Sequence, residues 1–233
     1  MKDNSNLKSY LYISKKKISI SVNSSNDKKV YFKEFFGDNK LNELSLNDLD
    51  YFLSENIFEI EKSIDDFIKK ICIILDTRDF FTFGISIKKN NFENVERSKK
   101  LVHLLNDAKN YCKKTLDQKR IVHMIIENYN IDSKNYLQLP KNITEDVYSI
   151  DVKFICLPDN LLKNYEEILG KYQVSLNQIV NASYIHEYIS NGGYDIFEKT
   201  QKILDGHNPN EILLVEKSPK NGGFFEKFFN FFN

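Results

Sequence analysis

Arg120-Ile-Val-His-Met-Ile-Ile-Glu-Asn-Tyr-Asn-Ile131 is the stretch on which the fold turns. It is rich in β-branched residues, contains neither glycine nor proline, and predicts one long strand. Working outward, Val95–Leu116 places Leu101, Leu104, Leu105, Ala108, Tyr111 and Cys112 at helical spacing. Phe80–Ile87, ahead of that helix, reads as a strand. On the other side Val147, Ser149, Asp151 and Lys153 alternate with Tyr148, Ile150, Val152 and Phe154. That alternation predicts a half-buried strand ending at Pro158, and Tyr136–Leu139 offers a shorter strand before Pro140. Strand-helix-strand-strand, from Phe80 to Leu157, is the clearest module of the chain.

Three short strands precede it, at Tyr10–Ile13, Lys17–Val22 and Val30–Phe36. From Ser45 the period lengthens. Leu46, Leu49, Phe52, Leu53, Ile57, Ile60, Ile64, Phe67, Ile68 and Ile71 recur at three and four residues, as in amphipathic helices. Ile71–Leu75 then reads as a strand. After the module, Asp159-Asn160 opens a helix to about Leu169 that Gly170 closes. Val174–Ile185 is extended or mixed, Tyr194–Leu204 is a helix stopping near Gly206, and Glu211–Val215 is a short strand. Ser218–Gly223, with Pro219 and two glycines, is a linker.

The chain ends in Gly223-Phe-Phe-Glu-Lys-Phe-Phe-Asn-Phe-Phe-Asn233. Wound as a helix, Phe224, Phe225, Phe228, Phe229, Phe231 and Phe232 share an arc of roughly 160°, opposite Glu226, Lys227, Asn230 and Asn233. A face of this kind suits a membrane interface, with Lys227 near anionic headgroups, or a groove on protein. No apolar run approaches the roughly 20 residues that a spanning helix needs. Met1–Ser9 is polar, so no secretion signal is expected. Cys72, Cys112 and Cys156 are scattered and odd in number, which points to buried free thiols in a reducing, cytoplasmic setting.

Lys+Arg and Asp+Glu both count 33, so charge gives no general case for nucleic acid binding. The 233 residues suit one large domain or two small ones, and 41% hydrophobic content supplies a core. His103, His123, His186 and His207 have no ligand partners at metal spacing, and His103 and His123 read as packed residues. No nucleophile elbow, zinc-protease or Walker pattern occurs. No catalytic, cofactor-binding or metal residue is predicted.

Several stretches, taken in order, carry a resemblance. Phe83-Gly-Ile-Ser-Ile-Lys88, Asn94-Val-Glu-Arg97 through Ala108-Lys109, and Ile121 through Asp132 (with Ile126 where the pattern has Pro) resemble strand, helix and strand of subdomain 1C in the bacterial cell-division family FtsA. Ser149-Ile-Asp-Val-Lys-Phe-Ile155 resembles the next strand of that actin-like adaptor, and Leu161–Ile179 the helix and strand leading out. Asn208-Pro-Asn-Glu-Ile-Leu-Leu214 through Gly223-Phe-Phe-Glu-Lys227 resembles its linker and membrane-targeting helix.

The resemblance implies an α+β fold: a strand-helix-strand-strand subdomain joined to a partial actin-like (ribonuclease H-like) subdomain, with a C-terminal amphipathic helix. It divides the chain into subdomain 1A at 1–79, subdomain 1C with its exit segment at 80–189, a connecting helix and strand at 190–217, the linker at 218–223 and the tail at 224–233. Where the family places D-x-G-T/S, this sequence has Tyr12-Ile13-Ser14-Lys15. The second phosphate loop after Ile189 and the subdomain that holds FtsZ also lack counterparts. ATP binding is therefore not expected, and FtsZ binding is left open.

The implied function is a non-catalytic adaptor on the inner face of the cytoplasmic membrane, at the division site. Its partners would be the lipid surface and other division proteins or FtsA-type subunits, with homo-oligomerisation an open outcome. Two other readings stand beside it. One is a soluble α+β interaction domain whose Phe-rich end docks on itself or on a partner. The other, with fewer supporting residues, is an actin-like ATPase completed by a partner chain.

Overall fold

A computed structural model describes residues 7–24, 29–37, 44–89, 97–131, 134–140, 148–190 and 193–212. The chain forms two compact units, Met1–Phe81 with Cys156–Asn208, and Thr82–Ile155 with Pro209–Asn233.

In the first unit, β1 (Lys8–Ser14), β2 (Lys17–Asn23) and β3 (Lys29–Phe36) form an antiparallel meander. The chain then runs through α1 (Leu46–Ile64) into β4 (Lys70–Asp76), which lies parallel to β1. After the second unit it returns through α3 (Asp159–Lys171) to β9 (Ser175–Asn181), parallel to β4. The resulting sheet order is β3-β2-β1-β4-β9. This is a partial actin-like, ribonuclease H-like subdomain, with the second unit inserted between β4 and α3. The exit segment that follows the central module belongs to this unit, where β9 completes the parallel edge and α3 packs on α1.

Period-two alternation gives the sheet two buried faces. On one, Phe35 meets Phe52 of α1 with ring centroids 6.2 Å apart. On the other, Tyr10 and Phe32 meet Phe197 of α5 (Ile196–Leu204) at 6.3 and 6.0 Å. The Tyr10 hydroxyl donates to Gln201 Oε1 on α5. Leu11, Ile18, Ile20, Ile71, Ile73 and Ile74 are fully buried between these layers, each contributing about 1.5–3 kcal/mol of transfer free energy. The remaining helix of this unit, α4 (Ala182–Tyr188), packs on β4, β9 and α5.

The helix ends explain where reading from sequence slips. Ser45 and Asp48 form a capping box at α1. The helix stops at Ile64 because Asp65 turns left-handed, φ 54, which leaves Phe67 exposed although its spacing continues the apolar stripe. Gly170 does not close α3. Gln173, φ 60, takes the left-handed position. Val174 N–H bonds Leu169 O at 3.1 Å and Gln173 N–H bonds Gly170 O at 3.1 Å, a Schellman closure. α5 ends in the same way on Gly206, φ 81.

The second unit contains β5 (Phe81–Lys89), α2 (Arg97–Thr115), β6 (Lys119–Ile131), β7 (Lys134–Tyr136) and β8 (Tyr148–Pro158), with sheet order β5-β8-β6-β7. Phe83 stacks on Phe154 at 5.2 Å. α2 buries Leu104, Ala108 and Cys112, whereas Tyr111 is exposed, one position off that stripe. Asp151 ties three strands together. Ser86 Oγ donates to it at 2.6 Å, Asn130 Nδ2 at 3.0 Å and Asn128 Nδ2 at 3.3 Å. Burial pushes the Asp151 carboxyl up, but these donors outweigh it and hold it below the usual carboxylate range. The three cysteines are buried thiols outside any disulfide, and burial raises Cys72 to about 12.

Ser45→Ala, which removes the Asp48 N–H bond to Ser45 Oγ and leaves the Ser45 N–H on Asp48 Oδ2, should lower stability in urea unfolding by about 1 kcal/mol. Gln173→Gly should raise it by about 0.5 kcal/mol, because glycine removes the left-handed penalty. A lower midpoint for the glycine variant would show that the Gln173 side chain contributes more than its backbone costs.

Candidate functional site

In open α/β sheets ligands gather where parallel strands end at their carboxyl edge. Here that seam lies between β1 and β4, whose last paired residues are Ser14 and Asp76. A crevice of about 260 Å³ opens there, with Ser14, Lys15, Ser45, Asp76, Asp79 and Tyr165 among its lining residues.

Its polar groups are engaged with one another. Lys17 N–H donates to Ser14 Oγ at 3.1 Å, closing the β1–β2 turn. The carbonyl of Lys15 accepts from Leu44 N–H at 2.8 Å and that of Lys16 from Gly37 N–H at 3.0 Å. The Tyr12 hydroxyl donates to Asp76 Oδ2 at 3.1 Å. Burial, then the Asp76 charge, pushes Tyr12 up to about 12. Thr77 Oγ1 donates to Asp79 Oδ2 at 2.6 Å. Burial and the Asp79 charge likewise raise Tyr165 to about 12.

A phosphate cradle needs backbone N–H groups converging on one point, and usually a cation. This mouth presents two carboxylates beside Lys15, with a tight turn docked through its own carbonyls. Among the described residues no group of three or more His, Cys, Asp and Glu could hold a metal ion. The candidate residues legible in the sequence do not include Asp76, Thr77 and Asp79. Their one signal is an acidic-polar run directly after the apolar strand Ile71–Leu75.

A second constellation roots the C-terminal segment in the second unit. Ile126 N–H bonds Asn210 O at 2.9 Å and Ile212 N–H bonds Met124 O at 2.8 Å, so Glu211 pairs antiparallel with Ile125 on β6. Beside that pairing, Glu211 Oε1 lies 2.7 Å from His123 Nδ1, with both side chains buried. Asn210 Nδ2 donates to Leu137 O at 2.7 Å. His123 is thus a packed residue with a partner far away in sequence, which local spacing could not reveal. The predicted membrane residues Phe224, Phe225, Lys227, Phe228, Phe229, Phe231 and Phe232, and the linker before them, lie outside the described residues. Among the described residues no helix is long and apolar enough to cross a membrane.

No protein-family model matches the sequence, and no curated protein matches it significantly. Among solved structures the chain is similar to the cytoplasmic domain of EpsL, an inner membrane component of the type II secretion system of Vibrio cholerae, at 13% identity and a TM-score of 0.37, over 77% of this chain and 57% of that one. It is also similar to the PilM–PilN type IV pilus biogenesis complex, at 9% and 0.49, over 78% and 49%. A Bacteroides thetaiotaomicron protein with an actin-like ATPase fold matches at 17% and 0.34, over 82% and 59%. This chain therefore spans between 49% and 59% of the length of these structures. All three TM-scores fall below 0.5, and the fold assignment rests on the strand order.

His123→Ala leaves Glu211 buried without its imidazole. It should cost about 3 kcal/mol in urea unfolding and speed deuterium exchange at the Ile212 and Ile126 amides. Unchanged protection of those two amides would mean that the backbone pairing holds the segment without the His123–Glu211 contact.

Proposed function

We propose that this protein is a non-catalytic, FtsA-like adaptor held by its Phe-rich C-terminus on the inner face of the cytoplasmic membrane, where it contacts other proteins of the division machinery. The observation that carries the reading is the β1–β4 seam. The actin-like strand order is present, but the β1–β2 turn is closed by Ser14 on Lys17 and docked by its carbonyls onto Gly37 and Leu44. A sheet of this order whose seam groups are bonded to one another offers surfaces for binding.

The tail supplies the membrane contact. Burying a Phe fully is worth about 1.5–3 kcal/mol, but interfacial rings are buried only in part, and ordering ten residues opposes them. A net of a few kcal/mol, comparable to one myristoyl chain, makes a single tail a weak anchor. Avidity with another membrane-bound partner would make it a stable one.

Two measurements test this reading. In co-sedimentation with anionic vesicles the full chain should pellet, whereas Phe228→Glu with Phe229→Glu should leave most of it in the supernatant with an unchanged far-UV spectrum. Equal pelleting would sink the membrane reading, and unfolding would place those rings in the core or in a groove. Calorimetric titration with Mg-ATP should show no saturable binding up to millimolar concentration. Saturable binding would favour an ATPase.

A further inference from the structure

β3 is the outer strand of the first unit's sheet, and among the described residues nothing pairs with its free edge. Val30, Phe32 and Phe36 are 45%, 43% and 63% exposed along it. A long, apolar, unpaired edge is a template for another strand, and natural edges are usually blunted. We infer that β3 is the seam of a symmetric dimer in which a second copy of this chain adds its own β3 antiparallel to the first.

Symmetry and charge select one register. A two-fold axis that pairs antiparallel strands within one sheet stands perpendicular to the sheet. Each residue then faces a residue of the same sheet face, and the axis must pass midway between two copies of one residue, so that this residue meets its own copy. The centres that keep at least five residues of β3 paired are Tyr31, Phe32, Lys33 and Glu34. Centring on Lys33 or Glu34 sets that charge against itself. Centring on Tyr31 sets Lys29 against Lys33 twice. Centring on Phe32 opposes no like charges: Phe32 meets Phe32, Tyr31 meets Lys33, and Val30 meets Glu34. Like charges directly opposite destabilise a pair of strands, whereas aromatic pairs stabilise it. The charges that blunt this edge against other registers leave this one open.

The dimer does not depend on the tail. Its consequence, two tails presented by one particle, rests on the membrane reading above. Analytical ultracentrifugation of the full chain at high micromolar concentration should give twice the 27.4 kDa chain mass. Phe228→Glu with Phe229→Glu should keep the dimer even where vesicle binding is lost, which separates the two proposals. Val30→Glu, facing Glu34 of the other copy, should return the monomer with unchanged far-UV spectrum and urea midpoint.

A cysteine scan reads the register. The native thiols are buried, so an introduced surface thiol is the one that reacts. Phe32→Cys places two Cα atoms about 4.5–5.5 Å apart, within disulfide range, and should cross-link under mild oxidation. Val30→Cys places them about 13 Å apart along the strands and should not. A monomeric full chain, a dimer that survives Val30→Glu, or equal cross-linking at both positions would overturn the inference.

Discussion

The parallel pairing of β1 with β4 is the constraint on which the rest depends. It joins Tyr10–Ser14 to Cys72–Asp76, segments separated by a meander and a helix, so the entropy of closing that loop must be met before the sheet exists. β1 has β2 antiparallel on one side and β4 parallel on the other. Within this central strand Tyr10 and Leu11 are 1% and 0% accessible. α1 and α5 then cover opposite faces. The same seam fixes where a crevice can form.

Polar groups at the seam are bonded to one another. Ser14, Tyr12, Asp76 and Thr77 satisfy neighbours within the unit. Polar groups tied to one another in this way rigidify a structure and leave few donors for a ligand. The second unit uses polar residues in the same manner. Asp151 is gripped from two strands, and His123 with Glu211 holds a distant piece of chain against β6.

Much of this was legible in the sequence. Alternation in Ile150–Phe154, the helical stripe of Leu104, Ala108 and Cys112, and the apolar run Ile71–Leu75 each report a local burial pattern that the structure repeats. Helix ends were read less well, because the left-handed closures fall on Asp65 and Gln173, where composition suggests no stop, while Gly170 lies inside its helix. Residues 174–185 looked mixed because they are mixed: β9 passes directly into α4 at Asn181, whose side chain caps the helix on Tyr184 N–H. The grouping of α3 and β9 with the first sheet, and the His123–Glu211 pair, are long-range facts that no local period encodes.

The chain passes between the two units three times, at 81–82, at 155–156 and at 208–209. Neither unit is therefore a contiguous segment, and neither can be cut out of the gene as one fragment. During synthesis the first sheet must wait for β9, which emerges only after the whole of β5 to β8. The second unit in turn gains its last pairing from residues 210–212. A protease that nicks one crossing leaves the units joined by two others, so a single cut breaks the chain without separating its parts.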